Sequence, residues 1–173
     1  MSHAGIAKWL SGPEFARRYR GVAPLPREMR RSALPTGTAM LREAVGILPA
    51  HLRRAMRTKC RILLLSGYTI GKLRHDRPEI SPGHFVLVQR ILDGRHIYAD
   101  GARHFTGFAR DDDGNWWTAV WKKTRDGREV FLETFHRGGI KGRLRDAESL
   151  SKKKGAPAGS ASSPAGPSPI RPK

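Results

Sequence analysis

The chain has a single cysteine, Cys60, in 173 residues. An internal disulfide is therefore impossible, which excludes a disulfide-stapled scaffold and fits a reducing cytosol. Neither CxxC nor HExxH occurs, and one thiol cannot build a cysteine-rich zinc site, so the residues call for no metal and no cofactor. Long apolar runs are missing too. The run Ile62 to Leu65 is far too short to span a bilayer, and no charged-then-apolar leader follows Met1. A soluble cytoplasmic protein with no membrane partner is expected. Carboxylates are scarce: 15 Asp and Glu stand against 33 Lys and Arg, for a net charge of +18. Hydrophobic residues, at 38%, fall below the usual globular share, while Gly (19) and Pro (12) are plentiful, so part of the chain is expected not to fold.

The position of the charge says more than its size. Residues 1 to 60 carry 12 basic and 3 acidic groups, residues 61 to 150 carry 16 and 12, and residues 151 to 173 carry 5 and none. The excess concentrates in the flanks, where it would attract a polyanion through counterion release. A basic tail that only aids solubility has the same composition. From Ser151 onward, 17 of 23 residues are Pro, Gly, Ser or Ala, too few apolar groups to offset the entropy of ordering. This reading gives a basic N-terminal arm and linker over 1–37, a folded domain over 38–145 with its core at 60–137, and a disordered tail over 146–173.

Within the arm, a short helix is expected around Phe15 to Tyr19, followed by a proline-rich extended linker. From Thr38 the spacing Leu41, Val45, Leu48, Leu52 predicts a helix that Pro49 breaks or kinks. Arg61 to Leu65 reads as a buried strand. Thr69 to Asp76 reads as a short helix with Ile70 and Leu73 on one face and Lys72, His75 and Asp76 on the other. Pro82 opens a further helix that Asp93-Gly94 closes. Four strand-like runs follow, His96 to Ala99, Arg103 to Arg110, Asn115 to Thr124 and Glu129 to His136, separated by Asp- and Gly-rich turns. The fold class expected is α+β, N-terminal helices packed on a C-terminal antiparallel β-sheet, flanked by basic, largely disordered arms.

The last hairpin carries the chemistry. A plain two-residue loop at Asp126-Gly127 puts Trp117, Ala119, Trp121, Val130 and Leu132 on one side, extended by Thr134 and His136. Trp116, Thr118, Val120, Lys122, Phe131, Glu133, Phe135 and Arg137 fall on the other. RNA cleavage without metal needs a base for the 2′-hydroxyl, an acid for the leaving 5′-oxygen and cations for the phosphate. Glu133 or a histidine could be the base and His75 or His136 the acid, with Lys72, Lys122 and Arg137 around the phosphate and aromatics stacking on bases. A Lys–Glu cross-strand pair is equally what a solvated ion pair looks like. His51, His84, His96 and His104 are given no role. Lys72 sits on a helix starting near Thr69, whose amides and adjacent cation suit an anion.

The segments LSGYTIGKLRHDRPEI, AVWKKT, DGREVFL and TFHR resemble the phage-encoded branch of the BECR nucleases, the superfamily that groups barnase, EndoU, colicin D-like and RelE-like ribonucleases. Ser66, Thr69, Ile70 and Lys72 match its opening motif; Lys122, Thr124, Thr134, Phe135 and His136 match its closing strands. The resemblance covers roughly residues 61 to 137 and implies a metal-independent endoribonuclease of toxin or effector type, cutting RNA to a 2′,3′-cyclic phosphate. The chemistry of the residues and the resemblance together give, as expected catalytic residues, Lys72, His75, Lys122, Glu133, Thr134 and His136, and as expected RNA contacts Ser66, Thr69, Arg74, Arg77, Trp116, Lys123, Arg128 and Arg137. The resemblance further implies tRNA or another structured RNA as target, an acidic immunity or antitoxin protein as partner, and delivery to a host cytoplasm if the protein travels in a virion. The family pattern often has histidines where this chain has Leu73 and Arg77, which would move the proton-carrying role to His75 or His136. A non-catalytic nucleic-acid-binding module and a virion-associated DNA-binding protein are the alternatives on the same fold.

Overall fold

Two N-terminal helices, the first at a place where none is expected and the second around the expected Phe15 to Tyr19, start with clear punctuation. Ser2 accepts from the Gly5 amide at 3.1 Å and caps α1 (His3–Leu10), while Pro13 occupies the first turn of α2 (Pro13–Gly21), where its missing N–H costs nothing. The computed structural model describes residues 1–31 and 41–138 of the chain. The tail expected from residue 146 and the end of the expected linker lie outside the described residues.

The first correction concerns the N-terminal segment. Ile6, Leu10, Phe15 and Tyr19 are buried in the same core as the sheet, and the Phe15 ring meets Phe85 edge-on at 5.6 Å. Phe85 in turn lies 5.4 Å from Phe135. Each apolar pair is spaced four residues apart on its helix, so a segment rich in arginine still presents one apolar stripe. Residues 3 to 21 thus belong to the folded unit, and Arg18 seals the junction by donating to the buried carboxylate of Glu43 at 3.0 Å. A 3₁₀ turn at Arg27–Arg31 follows.

The second correction is β1 (Arg42–Ile47), a strand where a helix is expected. Pro49 then acts as the N-cap of α3 (Ala50–Met56) instead of kinking a continuous helix. The remaining elements fall close to their expected places. They are β2 (Ile62–Ser66), α4 (Gly67–Asp76), a 3₁₀ turn at Pro82–Phe85, α5 (Val86–Asp93), β3 (His96–Asp100), β4 (His104–Arg110), β5 (Trp116–Lys123) and β6 (Val130–Arg137).

The strands form one six-stranded sheet in the order β1-β2-β6-β5-β4-β3. All neighbours are antiparallel except β2 and β6, which run parallel with Leu63 opposite Val130 and Leu65 opposite Leu132. The sheet is therefore mixed, not purely antiparallel, because the C-terminal meander returns its last strand to the edge of β2. The class is α+β. One face of the sheet carries the core, with Trp121, Leu132, Phe135, Leu63 and Leu65 fully buried. Gly107 of β4 is needed there: a Cβ would stand 2.6 Å from Ile91 Cγ2 and 2.9 Å from Trp121 Cη2.

Candidate active site

The hairpin β5–β6 does not keep the plain register of its turn. Trp121 faces Leu132, but the next step pairs Val120 with Thr134, so Glu133 is an extra residue in β6, a bulge. The consequence is a switch of faces beyond it. Phe135 turns inward and is fully buried, whereas Thr134 and His136 stand opposite Val120 and Thr118 on the other face. That reverses the expected placement of all three. Bulges re-aim side chains, and here the side chain re-aimed is a carboxylate.

Three strands converge on that carboxylate. His104 of β4 lies directly across from Lys122 of β5, which lies across from Phe131 of β6. Glu133 Oε1 is 3.5 Å from Lys122 Nζ, and its Oε2 is 3.7 Å from His104 Nε2. From below, Lys72 of α4 donates its ammonium to the Glu133 carbonyl oxygen at 2.5 Å, fixing the bulge to the helix. Burial lowers the Lys72 pKa below the usual lysine value, with the Glu133 charge opposing the shift.

Lys72, Lys122 and Glu133 line an open cleft of about 570 Å³, and His104 adjoins it through Glu133. Its walls are Ser66, Tyr68, Thr69 and Lys72 from the start of α4, Arg103 before β4, Lys122, Lys123, Thr124 and Arg125 from the end of β5, and Phe131, Leu132 and Glu133 from β6. Five cations thus surround one carboxylate. Ser66 accepts from the Thr69 amide at 3.2 Å and lies 3.1 Å from its hydroxyl, so the helix begins at the cleft wall with its positive end toward the cleft. Arg42 from β1 lies over the Phe131 ring at 5.7 Å and pairs with Glu129, which steadies an aromatic surface at the rim.

No family model, curated protein or solved structure matches this chain.

Of the residues singled out in the sequence, Ser66, Thr69, Lys72, Lys122, Lys123 and Glu133 come together in this cleft. The rest do not line it. His75 sits at the end of α4, its Nδ1 3.0 Å from Asp76 Oδ1, which Arg30 also holds at 2.5 Å. That guanidinium, chiefly, draws the Asp76 carboxyl down to about 2. Arg74 ties α4 to the N-terminal segment by donating to the carbonyls of Arg20 and Val22. Arg77 terminates the helix. Arg128 pairs with Asp126 inside the turn, and Arg137 donates to Asn115 at the far end of the sheet. Trp116 lies under the Arg110 guanidinium at 4.7 Å, and Thr134 and His136 are further along β6.

Sequence reading missed His104, Arg103 and Arg125. A signal for His104 was present: both strands were recognised, and an antiparallel pairing joins the start of β4 to the end of β5, where Lys122 lies. Among the described residues no group of three or more His, Cys, Asp or Glu side chains gathers as metal ligands, and no helix is long and apolar enough to cross a membrane.

Proposed function

We propose that the cleft cleaves RNA by metal-independent transesterification. The observation that carries the reading is a carboxylate in the wall of a cation-lined cleft that contacts a histidine at 3.7 Å and a lysine at 3.5 Å. Glu133 takes the proton of the 2′-hydroxyl. The 2′-oxygen attacks phosphorus, the bond to the 5′-oxygen breaks, and His104 as imidazolium delivers a proton to that oxygen, leaving a 2′,3′-cyclic phosphate and a free 5′-hydroxyl. Both side chains are more than a third exposed, at 36% and 39%, so they can part to flank a phosphate. Lys122, Arg103 and Arg125 offset the charge that builds on the phosphorane oxygens, and the N-terminus of α4 adds its dipole.

The geometry also bears on the family resemblance. Lys72, Lys122 and the bulged strand, which carry the matching motifs, are the same residues that build the cleft, and this supports a barnase- or RelE-like nuclease unit. The departures at Leu73 and Arg77 then cost nothing essential, because the histidine beside the carboxylate comes from β4. The full chain, incubated with total RNA in excess EDTA, is expected to give discrete fragments with 2′,3′-cyclic phosphate ends, and Glu133→Gln with His104→Ala to abolish them. RNA that is bound and shifted in a gel yet left intact overturns the enzyme and leaves a binding module.

A further inference from the structure

A second basic surface lies beside the cleft and takes no part in the chemistry described. Arg53, Arg54, Arg57 and Lys59, with Thr58, line an open depression of about 520 Å³ at the end of α3. No carboxylate lines it, and among the described residues none of the four cations enters an ion pair. Arg53 Nε is buried without a hydrogen-bond partner among the described residues.

A helix C-terminus gathers basic residues for its own sake, because they complement exposed carbonyls. Here three of the last four carbonyls are occupied. The amides of Arg57 and Thr58 bond the carbonyls of Arg54 and Arg53 at 3.0 Å each, and the Met56 carbonyl accepts from Lys123 Nζ at 2.6 Å. The guanidinium groups therefore remain available for something else. Like charges held together without counter-charges cost free energy, and a bound polyanion removes that cost.

The junction with the cleft names the polyanion. Lys123 lines the cleft while its ammonium rests on the last turn of α3, and Thr58 of the depression donates to the Gly127 carbonyl in the β5–β6 turn at 2.5 Å. The two basic surfaces are thereby fixed to each other, with Arg125 of the cleft next to the shared turn. We infer that the depression is a second phosphate-binding site that holds the RNA backbone on one side of the cut. The inference rests on the proposed reading of the cleft as an RNA site, and extends it from one phosphate to a strand.

The test uses 2′-O-methyl RNA, which cannot form the 2′-alkoxide and so reports binding without cleavage. Fluorescence anisotropy compares the full chain with Arg54→Gln/Arg57→Gln/Lys59→Gln on oligonucleotides of about 4 and about 20 nucleotides, lengths that bracket a typical single-strand site. The long strand is expected to lose at least about tenfold in affinity and about 2 from the slope of log K against log salt, whereas the short strand changes less than about twofold. The variant Arg54→Lys/Arg57→Lys, which keeps the charge, is expected to retain the long-strand affinity. Unchanged affinity and slope in the glutamine variant overturn the inference. So does unchanged RNA binding with lost binding of a polyglutamate peptide, which would assign the surface to an acidic protein. Separation from the first reading is direct: bound but uncut RNA with a length-dependent defect keeps this site and removes the nuclease, while cleavage with no length dependence does the reverse.

Discussion

The ammonium of Lys72 donates to the backbone carbonyl of Glu133 at 2.5 Å, so the helix that opens the cleft also holds the bulge that aims its carboxylate. Lys72→Met is expected to lower stability by about 1 to 3 kcal/mol, the range for losing a charged hydrogen bond to a part-buried acceptor. Urea titration measures that loss, and cleavage is expected to fall at least about tenfold as the carboxylate loses its aim. A variant that melts early yet cuts at the parental rate would detach Lys72 from the site.

The proposed proton carriers and the other histidines separate by place. Glu133→Gln and His104→Ala are each expected to reduce the rate by about 10² to 10⁴, the usual contribution of a positioned acid or base. His75→Ala and His136→Ala are expected to reduce it by less than about threefold, since His75 is held by Asp76 at the end of α4 and His136 stands opposite Thr118 toward the far end of β6. Initial rates on a fluorogenic RNA substrate distinguish them, and the opposite ranking would return the acid-base role to α4 or to the end of β6.

Asp76 gives the fold an acid sensitivity. Its carboxyl is held at about 2 by Arg30, well below the ordinary aspartate value. A lowered carboxylate stabilises the fold above its ordinary pKa, and the contribution disappears as pH falls from about 4 toward the folded value. Asp76→Asn is expected to be less stable than the parent at neutral pH by about 1 to 2 kcal/mol, with the gap closing over that interval. Thermal melts at stepped pH read it directly.

Gly107 tolerates no side chain. A Cβ there would press on Ile91 and the rigid indole of Trp121 at 2.6 and 2.9 Å, so Gly107→Ala is expected to cost about 1 to 3 kcal/mol by overpacking. Denaturant midpoints test it, and Gly21→Ala, where a Cβ meets nothing within 4 Å, is the control expected to lose no stability.

The N-terminal helices belong to the core, and Phe15 shows how strongly. Phe15→Ala is expected to cost about 3 to 5 kcal/mol, because the ring is fully buried against Phe85 and Tyr19. A dispensable arm would lose nothing.

The sequence made some of this legible and hid the rest for identifiable reasons. Strands β2 to β6, α4 and α5 announce themselves through turn residues and apolar runs that tertiary context only confirms. The strand β1 did not, because Leu41 and Val45 are four residues apart, a spacing that satisfies both a strand and a helix, and the glutamate between them is buried against an arginine from another helix. The bulge at Glu133 leaves no mark in the residue pattern either. It moved Phe135, Thr134 and His136 to the wrong faces in the plain reading, while Lys72, Lys122 and Glu133 survived because they lie before or at the irregularity. His104 was hidden by distance along the chain, being 29 residues from its carboxylate and joined to it only through two strand pairings.

The parallel seam between β2 and β6 has a temporal meaning. Leu63 must wait for Val130, and the cleft straddles that seam, drawing Ser66 from one side and Glu133 from the other. Contacts so distant in sequence form late, after the intervening chain has found its place. During synthesis the ribosome would therefore release nearly the whole folded unit before the cleft could close, so on the proposed reading a growing chain leaves the RNA around it uncut until β6, the last described strand, docks.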